Sequence, residues 1–118
     1  MYRIKVEATF SSAHNLRGYK GKCEELHGHN WKVGVRVESR TLDKAGMLMD
    51  FKVLKNKLHD VLEPLDHKYL NEIVYFKKIN PTSENIAKYI YDRLKVKGIS
   101  CKAVTVWESE NCSATYSE

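Results

Sequence analysis

Apolar and polar side chains alternate from residue 2 to residue 10, with Tyr2, Ile4, Val6, Ala8 and Phe10 set against Arg3, Lys5, Glu7 and Thr9. A period of two predicts a strand with one face on a core. The same parity, carried onward, puts Ser12 and His14 on the apolar side. Residues 15–22 contain Gly18 and Gly21 and read as a loop. A second strand is predicted over residues 27–39, where Trp31, Val33, Val35 and Val37 alternate with Lys32, Gly34, Arg36 and Glu38. Residues 43–46 read as a turn, and Asp50 as the N-cap of a helix over 51–62 whose apolar stripe is Phe51, Leu54, Leu58, Val61 and Leu62. Pro64 stops that helix. A second helix opens at Pro81-Thr82-Ser83-Glu84, with Thr82 or Ser83 as its cap, Ile86, Ala87, Ile90, Tyr91 and Leu94 as its stripe, and Gly98 as its C-terminal stop. Strands over about 101–108 and 114–117 complete the chain.

The order strand, strand, helix, helix, strand, strand predicts an α+β fold (ββααββ), a four-stranded antiparallel sheet with two helices on one face. No internal repeat, low-complexity stretch or linker divides the chain, so residues 1–118 are read as one domain. The sheet's edges are open to pairing with other copies, which makes oligomerisation plausible on physical grounds.

Composition narrows the function classes. At 118 residues, 42% hydrophobic and 30% charged, the chain can bury a modest core and is not disordered. No apolar run approaches the roughly 18–20 residues needed to span a bilayer, and the N-terminus alternates at once, without a signal-peptide stretch. Both features predict a cytoplasmic protein with no membrane partner. The formal charge of +5 is spread along the chain and interleaved with acids. It lacks the clustered basic stripe of a nucleic-acid footprint and fits a phosphorylated small molecule better than a polymer. Three cysteines, an odd number with no paired spacing, argue against a disulfide framework. Cys101 reads as a small buried hydrophobe, Cys112 is given no role, and only Cys23 has histidines nearby.

Cys23-Glu24-Glu25-Leu26-His27-Gly28-His29 concentrates the chemistry. Histidines at i and i+2 of a strand point to one side, and His14 shares the apolar parity of the first strand. All three imidazoles thus gather at one end of the buried face if neither strand is bulged. Three neutral imidazoles on zinc leave one position open, the catalytic arrangement, whereas Cys23 as a fourth ligand would close the site. A thiol beside cationic groups can otherwise serve as base or nucleophile. Asp66 directly precedes His67, and in a turn its carboxylate can accept a hydrogen bond from that ring. Glu108, at a strand end beside Trp107, can accept two N–H bonds from a flat guanidine-like edge.

Together, Cys23-x3-His27-Gly28-His29, the upstream His14, Pro64-Leu65-Asp66-His67, Pro81-Thr82-Ser83-Glu84-Asn85 and Glu108 resemble the 6-pyruvoyltetrahydropterin synthase family. The three-residue gap after Cys23 looks most like its 6-carboxytetrahydropterin synthase branch, which serves 7-deazaguanine (queuosine or archaeosine) biosynthesis. Biopterin-pathway members have a longer gap. The resemblance implies a tunnelling fold whose sheets close into barrels, usually in a homohexamer of two trimers, and a 7,8-dihydroneopterin triphosphate substrate. It implies Zn2+ on His14, His27 and His29, with Cys23 as proton acceptor and Asp66 and His67 as relay partners. Glu108 would anchor the pterin's aminopyrimidine edge and count with the relay, and Thr82 and Ser83 would line the pterin pocket, often from a neighbouring subunit. Some folate-pathway members use a glutamate near the cysteine position, where this chain has Glu24 and Glu25. Alternative readings are a 6-pyruvoyltetrahydropterin synthase that retains the side chain, and a non-catalytic metal- or pterin-binding module.

Overall fold

A computed structural model describes residues 1–19 and 24–118. Its elements are β1 (Tyr2–His14), β2 (His27–Ser39), α1 (Phe51–Leu62), β3 (Lys68–Tyr69), α2 (Ser83–Val96), β4 (Ala103–Ser109) and β5 (Cys112–Ser117), with short 3₁₀ turns between α1 and α2. β1 and β2 pair antiparallel without a break from Tyr2↔Ser39 to His14↔His27. This unbroken register keeps the parity of both strands intact up to the histidines.

The strand order is β3-β1-β2-β4-β5. The expected antiparallel four are present, and a fifth strand joins them: Lys68 and Tyr69 run parallel to Ser12 and Ala13 on the outer edge of β1. Two residues are too few to show alternation. What places them is the open edge of β1, where the His67 N–H donates to the Ser11 carbonyl at 2.6 Å. β4 begins two residues later than expected, and β5 begins at Cys112 rather than near residue 114.

Both helices start and stop where local chemistry dictates. The Asp50 carboxylate accepts from Lys52 N at 2.8 Å and the Thr82 hydroxyl from Asn85 N at 3.1 Å, each satisfying a donor that the first turn leaves unpaired. Gly98 ends α2 at φ +87°, and the next N–H, Ile99, reaches back to Leu94 O at 2.9 Å, a left-handed glycine stop. The core lies between sheet and helices. Val6, Phe10, Trp31, Val33, Val35, Val37, Val104 and Val106 meet Leu54, Leu58, Val61 and Leu62 of α1 and Ile86, Ala87, Ile90 and Leu94 of α2. Phe51 departs from its expected place on the stripe, since at the first position of α1 it stays 57% exposed. On the other face of the sheet Trp107 crosses Gly34, where an added Cβ would stand 3.1 Å from the indole. Lys32 covers the same ring at 4.3 Å.

Leu58 is fully buried, so Leu58→Ala is expected to cost about 2–5 kcal/mol in chemical denaturation, against no more than about 0.5 kcal/mol for the exposed Val96→Ala. Burial pushes the Cys101 thiol up to about 11. It stays neutral and unreactive near neutral pH, and its stabilising contribution fades only as pH rises from the ordinary thiol range toward 11. Alkylation mapped by mass spectrometry should leave Cys101 unmodified in the folded chain while the exposed Cys112 reacts.

Candidate metal centre and active site

His14 ends β1, His27 begins β2 directly opposite it, and His29 follows on the same face. The three rings stand edge to face, with centroids 4.7, 5.1 and 4.8 Å apart. Beneath them lies Trp31, fully buried, whose ring meets His14 at 4.9 Å and His29 at 5.1 Å. The Trp31 indole N–H donates to Ser12 O at 3.2 Å, and its other side stacks on Phe10. The site therefore grows out of the core as the last layer of the same alternating face.

The hydrogen bonds of these rings fix their tautomers. His14 Nδ1 lies 2.8 Å from Pro81 O, and His27 Nδ1 lies 2.9 Å from Glu25 O. A carbonyl only accepts, so each Nδ1 carries the proton and each Nε2 presents a lone pair. Those two Nε2 atoms face each other at 3.1 Å. Two lone pairs so placed repel unless a cation stands between them. His29 Nε2 is buried without a hydrogen-bond partner. With Glu108, the three histidines bring four ligand atoms within 4.8 Å of one another. Backbone carbonyls that orient the back nitrogens of ligating histidines are what metal sites use, and this donor set fits a zinc-type ion.

Electrostatics support the neutral, ligating form of His29. Burial lowers the pKa of His29, assisted by His14 and His27 and opposed by Glu108 and Glu24. Glu108 Oε1 lies 3.2 Å from His29 Nε2, and Glu24 Oε1 lies 3.6 Å from His27 Nδ1. Glu108 is the extra residue where the β4–β5 register slips between Trp107 and Ser109, a bulge of the kind that re-aims side chains next to sites.

Asp66 and His67 meet by the route a turn allows. His67 takes φ +56°, and its Nδ1 comes 3.1 Å from Asp66 Oδ1. The Ser11 N–H donates to the same Asp66 oxygen at 2.9 Å, holding the carboxyl below its usual range with help from His67. The pair is thereby fixed to β1 three residues before His14. Its imidazole remains exposed to solvent. Thr82 uses its hydroxyl to cap α2, Ser83 is the first residue of that helix, and the preceding Pro81 carbonyl orients His14. Cys23 lies outside the described residues.

Sequence reasoning missed the amides that tie the loop after β1 to the body. Asn71, 7% exposed, behaves as a substitute peptide: its Oδ1 accepts from Asn15 N at 3.0 Å and its Nδ2 donates to Asn15 O at 2.8 Å. Asn80 does the same for Arg17 at 2.9 Å in both directions. Asn15 Nδ2 in turn donates to Glu24 O at 3.1 Å, so the residue next to Cys23 is anchored to the residue next to His14. The only sequence signal was an asparagine adjoining a candidate ligand. Removing both Asn71 bonds leaves buried groups unpaired, so Asn71→Ala should lower stability by about 1–3 kcal/mol in thermal or chemical denaturation, and Asn71→Asp, which sets a carboxylate oxygen against the Asn15 carbonyl, should not restore it.

The chain is similar to known proteins along nearly its whole length. The family model described as 6-pyruvoyl tetrahydropterin synthase matches residues 3–118. A 6-carboxy-5,6,7,8-tetrahydropterin synthase of Synechocystis is 38% identical over 122 residues, covering 98% of this chain and 93% of its own. A dihydroneopterin monophosphate aldolase of Pyrococcus furiosus is 38% identical over 109 residues, covering 90% and 89%. The Caenorhabditis elegans 6-pyruvoyl tetrahydropterin synthase structure superposes with a TM-score of 0.86 at 28% identity, covering 99% of this chain and 95% of that one. The chain has the tunnelling fold and belongs to the 6-pyruvoyl tetrahydropterin synthase family.

Proposed function

We propose that this chain is a zinc-dependent 6-carboxy-5,6,7,8-tetrahydropterin synthase, a lyase of 7-deazaguanine biosynthesis. It converts 7,8-dihydroneopterin triphosphate and one water to 6-carboxytetrahydropterin with loss of triphosphate and acetaldehyde, as a cytoplasmic homohexamer. The observation that carries the metal-dependent reading is the pair of lone pairs facing each other at 3.1 Å on His14 and His27. The Synechocystis relative's name and the three-residue gap after Cys23 support the carboxy branch. No helix among the described residues is long and apolar enough to cross a membrane.

Zinc on His14, His27 and His29 supplies a Lewis acid for the substrate's side-chain hydroxyls. The chain's own groups do the rest. Glu108 accepts N–H bonds from the pterin's aminopyrimidine edge and fixes the side chain over the histidines. Cys23, as thiolate, takes the proton from the carbon next to a hydroxyl. His67, oriented by Asp66, returns protons as the bond to triphosphate breaks, and again as water adds to the carbonyl beside the ring and the two-carbon fragment leaves as acetaldehyde. Thr82 and Ser83 line the pterin pocket, contributed by a neighbouring copy.

One observation favours a second reading. Glu24 Oε1 is buried without a hydrogen-bond partner near His27, and the Pyrococcus relative is named an aldolase. A carboxylate base at Glu24 would cleave the side chain without eliminating triphosphate first.

Product analysis of the zinc-loaded protein with 7,8-dihydroneopterin triphosphate separates these readings. Acetaldehyde and 6-carboxytetrahydropterin are expected. Pyruvoyltetrahydropterin would indicate elimination alone, a hydroxymethyl pterin would indicate the aldolase, and no product would indicate a binding module. Cys23→Ala should reduce turnover by about 10²–10⁴-fold, and full retention would remove Cys23 from the mechanism. Metal removal by a chelator should abolish turnover, with recovery on adding zinc.

A further inference from the structure

Three histidine ligands leave one position of a tetrahedral ion open, and Glu108 brings a carboxylate oxygen within 4.8 Å of all three ligand nitrogens. Its Oε1 lies 3.2 Å from His29 Nε2, and His14 and His27 place their Nε2 atoms 3.1 Å apart. In a tetrahedral site with ligand bonds of about 2.0–2.2 Å, neighbouring ligand atoms are about 3.3–3.6 Å apart. Both separations sit just below that range.

An ordinary ion pair explains the His29–Glu108 contact less well. Despite the 3.2 Å approach, His29 Nε2 makes no hydrogen bond. The two atoms are close without one aiming a proton at the other, as ligands of a common third atom are. The bulge between Trp107 and Ser109 leaves Glu108 outside the β4–β5 pairing, so its backbone is not committed to the hairpin.

Resting on the metal centre of the preceding section, we propose that Glu108 is the fourth ligand of that metal when no substrate is bound. The same carboxylate is assigned there to the pterin edge, and it cannot serve both partners in one geometry. Pterin recognition therefore withdraws Glu108 and frees the fourth position for substrate. The centre is closed at rest and opened by the recognition edge of its own substrate.

The test uses the full chain, stripped by a chelator and reloaded with Co2+ in the absence of pterin. Wild type and Glu108→Gln are compared by visible absorption of the bound Co2+ and by competition with a chromophoric chelator. Circular dichroism checks the fold, and Glu108→Ala is read the same way if the glutamine variant misfolds. A changed Co2+ spectrum and affinity weakened about tenfold or more are expected, since even outer-shell partners are worth about 10–100-fold. An unchanged spectrum and affinity in the variant overturns Glu108 as a ligand and leaves the three-histidine centre standing. Failure of the wild type to bind Co2+ overturns both.

Discussion

Two imidazole nitrogens with lone pairs, held 3.1 Å apart by their own backbones, are the constraint on which the site depends. They meet because β1 and β2 keep one register over thirteen residues, so that His14 and His27 arrive as cross-strand partners. A one-residue slip in either strand would send one ring to the opposite face. The Pro81 and Glu25 carbonyls then prevent either ring from relieving the repulsion by flipping its tautomer. Folding therefore builds an electrostatic conflict that a cation resolves, and the core beneath it, through Trp31 and Phe10, keeps the rings from spreading.

β1 also organises the rest of the candidate machinery. The Asp66 and His67 turn is bonded to the Ser11 backbone in both directions, N–H to carboxylate and carbonyl to N–H. Ser12 hydroxyl donates to Leu65 O, fastening the preceding turn to the same strand. Past His14, Asn71 and Asn80 continue strand-like pairing with side chains instead of peptides. A single extended segment thus fixes the spacing between the candidate metal ligands, the Asp66–His67 pair and the residues that directly follow β1. The left-handed backbone of His67 is part of that arrangement: only a reversal there brings the ring back to the adjacent carboxylate.

Much of the fold was legible because its signals are local. Alternation gave both long strands and the shared face of the three histidines, a 3.6-residue stripe gave the helices, and Asp50, Thr82 and Gly98 marked their ends. Phe51 misled because periodicity assigns a face without knowing how far the covering sheet extends. β3 was invisible because two residues carry no period. Its place comes from the unpaired edge of β1.

The sequence by itself determined which residues can share a face and which residue types could hold a metal, since side-chain direction follows from strand parity alone. Tertiary structure decided the remainder. It chose the tautomers of His14 and His27 through carbonyls distant in sequence or outside the strands, and it aimed Glu108 at His29 through a bulge that no local pattern marks. It made Asn71 and Asn80 into substitutes for a missing strand. Each of these rests on a polar group finding its partner across the fold, and that partner is set by three-dimensional packing rather than by neighbours along the chain.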